Sequence, residues 1–308
     1  MKSLPPDLNE TYARALDKIE QRDKLVARRA LSFLCSAGRP PSLAELAEAA
    51  IIEPGMESMD PELRWFPQDL LHIIGSLIIY TAEDDIIMLA HHSVKEYLES
   101  DYIRARVPDF YFTPSSSHVD IATTCLTYLL LSDFSSGQAR TQEDFIKHAA
   151  DYPLLLYASR YWPLHAQPLL STSPTLLMLA NKLLDPSETP NFRFWLVIMT
   201  MQGHFSFSQS SLSRAPVTAA STAASLRSPS SNTHTSLKPR KPKTYFSFFK
   251  DTSSLTPLYY AASFGLAPVV ESLIRAGADI NKPGGMFGGT PLHAAGKYTL
   301  MNWGSVAL

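Results

Sequence analysis

The triplet Thr256-Pro257-Leu258 recurs as Thr290-Pro291-Leu292, 34 positions later, and this repetition constrains the fold more than any other feature. In each triplet threonine can cap a helix, proline fits its first position, and leucine falls on its buried side. Small residues follow in both copies, Ala261 and Ala262 in the first, Ala294 and Ala295 in the second. They let neighbouring helices pack closely. Gly265 is placed to end the first helix in a left-handed conformation. Val269, Val270, Leu273 and Ile274 form the apolar stripe of a second helix. Gly277-Ala278-Asp279-Ile280-Asn281 then turns the chain out. A unit of two short helices cannot bury its core alone and needs stacked neighbours.

Residues 251–281 closely resemble one ankyrin repeat, and a second copy opens at Thr290. The family period is 33, so the Gly-rich loop Gly284–Gly289 holds one extra residue. Tyr259 stands where the family usually has His, and Ser254 where it usually has Gly before the first triplet. After Gly296 the pattern disappears, and Lys297–Leu308 shows no second helix of the right form. About three repeats are normally needed to bury a continuous solenoid core, so the chain reads as truncated or as a fragment of a longer array. The resemblance implies that a protein partner meets the loop tips and the end of the first helix. Those positions are Leu255, Ser263, Phe264, Met286 and Phe287, and exposed aromatics and Met there suit a protein interface.

The segment before the repeat is of a different kind. Gly203–Lys250 holds seven Lys/Arg and no Asp/Glu, leaving 20 basic against 29 acidic residues elsewhere. Ser, Thr, Ala and Pro dominate it, so it buries too little apolar surface to offset chain entropy. It is expected to be a disordered basic linker. Lys238-Pro-Arg-Lys-Pro-Lys243 is the stretch that would carry nuclear import or dock on an acidic surface, and Ser228-Pro229 is a candidate phosphosite.

The N-terminal part reads as helices. Pro5, Pro6 and Asp7 open the first, with Tyr12, Ala15, Leu16 and Ile19 at helical spacing; Leu25, Ala30, Leu31 and Leu34 mark the second. Ser42 and Glu45 have the spacing of a capping box before Leu43–Ala50. Another helix is expected near Gln68–Gly75. Leu77–Thr81 and Ile86–Ala90 read as strands joined by Glu83-Asp84-Asp85, and Ser93–Ser100 as a helix capped by Ser93. Three helices followed by a hairpin is a winged-helix order. Residues 118–202 read as short helices divided by Pro153, Pro163, Pro168, Pro174 and Pro190.

Several stretches here resemble a known arrangement. Leu89-Ala-His-His-Ser-Val-Lys-Glu-Tyr-Leu98, Leu4–Tyr12 and Arg39–Ala47 resemble the winged-helix domain that follows the NACHT ATPase in many fungal ankyrin proteins. That module is often named after the GPI inositol-deacylase family. Pro153–Ala158 and Tyr161–Ala166 resemble the helical segment that follows it. The resemblance implies a fragment or truncated relative of a STAND-type signalling receptor. No phosphate-binding Gly-x-x-x-x-Gly-Lys-Ser/Thr motif occurs in the chain, so the ATPase switch of that architecture is absent from it.

The expected fold is therefore mainly α: a winged-helix-like domain with a small hairpin (1–105), a helical domain (106–202), the linker (203–250) and partial ankyrin repeats (251–308). Function is expected to be non-enzymatic protein–protein interaction, with no cofactor, no catalytic residue and no metal site. His91, His92 and Ser93 are adjacent and have no assignable carboxylate partner, unlike a catalytic relay. No Gly-x-Ser-x-Gly elbow is present, and the histidines do not cluster at metal spacing with Cys35 and Cys125. The two cysteines read as reduced, buried thiols of an intracellular, mainly cytoplasmic protein. The longest apolar runs, such as Leu70–Tyr80, are too short to span a bilayer. Tyr157, Tyr161, Trp162 and Trp195 are expected in the core. Leu43–Ala50 and Gln68–Gly75 carry Glu45, Glu48 and Asp69 but no Lys or Arg, which argues against a DNA surface. The alternatives are a nucleic-acid adaptor through the winged helix and basic linker, and a hydrolase or NTPase with an unrecognised site.

Overall fold

The computed structural model describes residues 6–60, 66–135, 142–187, 189–204, 256–284 and 288–300. The architecture is mainly α-helical, with one small antiparallel hairpin and a partial helical repeat near the C-terminus. The expected linker 203–250, with Lys238–Lys243 and Ser228, lies almost wholly outside the described residues.

The first module begins with α1 (Pro6–Asp17), α2 (Lys24–Ser36), α3 (Leu43–Ile51) and α4 (Pro67–Ile74). The capping box forms as expected: Glu45 N donates to Ser42 Oγ at 3.1 Å, and Ser42 N to Glu45 Oε2 at 2.8 Å. β1 (Ile78–Thr81) and β2 (Ile86–Leu89) pair antiparallel, with Ile79 opposite Met88 and Tyr80 opposite Ile87. Leu77, expected to open the first strand, ends a short 3-10 turn instead, though its carbonyl still accepts from Ala90 N at 2.9 Å. Asp85 turns the hairpin at φ 49°, a conformation that Asp tolerates. On the other edge of β2, Ile87 N donates to Pro41 O at 3.0 Å, which ties the hairpin to the α2–α3 connection.

α5 (His92–Leu98) and α6 (Asp101–Arg106) complete this module. The cap of α5 corrects the expectation of Ser93. His91 is extended, and its Nδ1 accepts from Ser93 N at 3.1 Å. Ser93 sits inside the helix with its hydroxyl turned inward, 2.8 Å from the Tyr12 hydroxyl and 2.7 Å from His91 Nδ1. It satisfies a buried phenol rather than a helix terminus.

The helical region comprises α7 (Pro114–Leu129), α8 (Gln142–Asp151), α9 (Leu155–Ala166), α10 (Pro174–Leu183) and α11 (Pro190–His204). α7 begins before its apolar stripe because Thr113 and Ser116 form a reciprocal cap. Pro163, expected to divide helices, lies inside α9. Proline has no amide hydrogen, so the carbonyl four residues earlier, Ser159, loses its helical donor. The Trp195 indole of α11 supplies one, with Nε1 3.0 Å from Ser159 O. The proline therefore frees a buried acceptor that fastens a neighbouring helix.

This region packs tightly on the first module. Glu48 of α3 is buried and accepts from the Tyr128 hydroxyl at 2.6 Å and from Leu154 N at 2.8 Å. Arg39 makes two bonds to Glu45, at 2.6 and 2.7 Å, and lies over the rings of Tyr157 and Tyr161. Gly38 N donates to the Tyr157 hydroxyl at 2.9 Å. A β-carbon at Gly38 would come within 2.5 Å of the Tyr161 ring, so only glycine allows this approach. Tyr157, Tyr161, Trp162 and Trp195 are all core residues, as their spacing implied. One connected apolar core runs from Tyr12 through both modules to Leu273 in the repeat.

Candidate functional site

The repeat consists of α12 (Pro257–Ser263), α13 (Ala267–Arg275) and α14 (Pro291–Leu300), the first helix of the next copy. Thr256 caps α12, its Oγ1 accepting from Tyr259 N at 3.2 Å, and Pro257 takes the first helical position. Gly265 adopts φ 65° and Gly277 φ 88°. Each closes a helix by the left-handed route, and Leu266 N and Ala278 N reach back to Ala261 O and Leu273 O, both at 3.0 Å. Gly284 N donates to Gly289 O at 2.7 Å, pinching the glycine-rich loop. A β-carbon on Gly284 would lie 2.5 Å from Tyr259 Cβ, so the loop closes only because Gly284 has no side chain. α14 then lies along α12.

The preceding side of the repeat is occupied by α10 and α11. Trp195 packs on Tyr260 and Phe264 with ring centroids 6.0 and 5.9 Å apart, and Phe192 meets Tyr260 edge-on. α10 packs on α13, where Asn181 Nδ2 donates to Ser272 Oγ at 3.4 Å. Burial at this contact pushes the Tyr260 phenol well above its usual pKa. The α10–α11 pair thus fills the place that a preceding repeat would hold.

Of the sequence-predicted interface residues, Ser263 and Phe264 are described; Leu255, Met286 and Phe287 lie outside the described residues. Ser263 is half-buried and donates to Tyr260 O at 2.9 Å. Phe264 is half-buried and faces Trp195, so its ring holds the repeat to the body. The outward apolar surface is made by other residues. Leu292 is 80% exposed, Ile280 54% and Ile274 46%. Ile280 belongs to the turn and Ile274 to the apolar stripe of the second helix. What the sequence pattern does not convey is how much of that stripe the following layer covers. Leu258 is buried where its counterpart Leu292 is open.

Chemistry elsewhere is structural in form. His91 Nδ1 accepts from the Ser93 backbone, so this pair has the geometry of a helix cap, and Ser93 itself is buried. Burial pushes the Cys35 thiol up to about 12 and the Cys125 thiol higher still. Among the described residues, no three His, Cys, Asp or Glu converge in a way that could hold a metal ion. No helix among them is long and apolar enough to cross a membrane.

The family model for the ankyrin repeat matches residues 254–284. The chain contains an ankyrin repeat. Over 174 residues it is 34% identical to azaphilone pigments biosynthesis cluster protein L of Monascus ruber, an alignment that takes in 54% of this chain and 36% of that protein. The chain thus matches little more than a third of that relative's length. No solved structure matches the chain.

Proposed function

We propose that the chain is a non-enzymatic interaction protein that binds a protein partner through its repeat, within a STAND-type receptor architecture. One observation carries this reading: the repeat is braced on one side by α10–α11 while Ile274, Ile280 and Leu292 face outward. A rigid scaffold with exposed large apolar side chains has the anatomy of a recognition surface. The relative's name gives a biosynthetic cluster and no reaction, so it brings no catalytic role to this chain. A groove-reading role for α3 is disfavoured because that helix is covered on nearly every side by α2, α4 and the helical region. The partner is a protein of unassigned identity, and its recognition requires no cofactor.

The test is quantitative affinity purification from the source organism with the wild-type chain and Leu292→Asp. Leu292 is exposed, so the variant is expected to keep the melting temperature while losing its specific co-purifying protein. Retention of that protein at wild-type stoichiometry would refute the assignment of this surface. Nucleotide titration should leave the melting temperature unchanged.

A further inference from the structure

The hairpin β1–β2 has a composition that its surroundings leave unexplained. Ile78-Ile-Tyr-Thr81 and Ile86-Ile-Met-Leu89 show no alternation of apolar and polar residues. An antiparallel pair with one solvated face normally alternates apolar and polar residues, so a continuous apolar run suits a pair covered on both faces. The inner face, with Ile78 and Ile87, is buried in the core. The outer face presents Ile79, Ile86 and Met88, with Ile79 49% and Met88 42% exposed and directly opposite each other. β1 is also an edge strand. Ala90 N bonds Leu77 O, so alternation points the backbone groups of Ile78 and Tyr80 away from β2. Among the described residues nothing pairs with that edge. The turn beside it carries Glu83 and Asp84, both exposed, and neither is in an ion pair among the described residues.

We propose that this face is the docking site of the chain's own segment Lys238–Lys250, added as a third strand along β1. The segment reads Lys-Pro-Arg-Lys-Pro-Lys-Thr-Tyr-Phe-Ser-Phe-Phe-Lys: cations first, then an aromatic run of strong strand preference. Laid antiparallel to β1, it brings Lys241 and Lys243 to Glu83 and Asp84. It also places alternate aromatics over Ile79 and Met88, with main-chain bonds to Ile78 and Tyr80. Charge complementarity singles it out, because Gly203–Lys250 holds seven cations and no acid in an otherwise acidic chain. Reach permits it: from Lys243 to Thr256 the chain extends up to roughly 45 Å, about the diameter of a compact body of this size.

The experiment uses the full chain as a mixture of ¹⁴N- and ¹⁵N-labelled molecules, treated with a zero-length carbodiimide. Lys241 or Lys243 should be joined to Glu83 or Asp84 within single molecules. In a chain carrying Phe246→Ser and Phe248→Ser, which leaves the hairpin sequence intact, those links should be lost. The amides of Ile78 and Tyr80 should then exchange about tenfold faster. Absence of the links in the wild-type chain, links only between differently labelled molecules, or amide exchange unmoved by the substitutions would each overturn the proposal.

Discussion

Pro163 and Trp195 should prove energetically coupled although neither is in the other's helix. Ser159 O is buried, and Pro163 leaves it without the amide donor that an α-helix would supply. Trp195 Nε1 is the donor that replaces it. Trp195→Phe keeps an aromatic ring against Tyr260 and Phe264 but removes that donor. A buried carbonyl left unpaired costs about 1–3 kcal/mol, and the smaller ring adds about 1 kcal/mol of lost packing. The expected destabilisation is therefore about 2–4 kcal/mol. Pro163→Ala restores an amide N–H aimed at Ser159 O. In the wild-type background that carbonyl is already occupied, whereas in Trp195→Phe it is empty. The altered helix propensity and lost ring contact at position 163 are common to both backgrounds and cancel in a double-mutant cycle. What remains is the repaired hydrogen bond, about 1–2 kcal/mol in favour of the double variant. Urea denaturation of the four proteins measures it. Additivity within about 0.3 kcal/mol would show that Ser159 O does not mediate the link and would refute this reasoning.

Three further outcomes follow from buried polar groups between the modules. His118 and His165 approach at 2.7 Å through their Nδ1 atoms; burial first, and then His118, holds His165 down to about 3, while burial and Lys95 lower His118. Both folded-state values lie below the unfolded one, so stability is fully present above about pH 6.5 and should fall steadily toward pH 3; His165→Asn should flatten the melting temperature over that window. Arg39→Lys should destabilise by about 1–3 kcal/mol in urea, because an ammonium cannot make both bonds to Glu45 while stacking on Tyr157 and Tyr161. Glu48→Gln should be mild, since a carbonyl oxygen can still accept from Tyr128 and Leu154 N, whereas Glu48→Ala should cost about 2–4 kcal/mol by leaving both donors unmet.

Local signals were legible where one residue type does one physical task. The Ser42–Glu45 box, the Thr256 cap and the left-handed Gly265 each follow from a short window of sequence. The apolar stripes likewise identify the helices that carry them. Misreadings arose where a residue's partner lies far away. Pro163 looks like a helix divider because nothing in its neighbourhood announces that Trp195 will take the freed carbonyl. Ser93 looks like a cap because the need of the Tyr12 phenol is invisible locally. Phe264 looks like an exposed anchor because the sequence does not show that Trp195 stands against it. The apolar hairpin is legible as two strands, but its outer face becomes notable only beside an inner face that the core fills.

These distant partners change what the long segment between α11 and α12 means. Read alone, Gly203–Lys250 is a tether from which a marginal repeat would hang. Yet the helices that it joins are packed together: α11 meets α12 through Trp195, Tyr260 and Phe264, and α10 meets α13. The segment is therefore an insertion between two adjacent layers, and its length does not set the distance between repeat and body. A repeat that lacks enough copies to bury its own core obtains the missing layer from α10–α11. Force or binding energy applied to α12 meets Trp195, then Ser159 of α9, then Tyr157 on the same helix, and through it Gly38 and Arg39 at the start of the α3 cap. The Trp195–Ser159 bond is buried, and the Gly38–Tyr157 bond is partly so. Losing the Trp195–Ser159 bond should thus uncouple the repeat from the first module while leaving the repeat's own helices and caps intact.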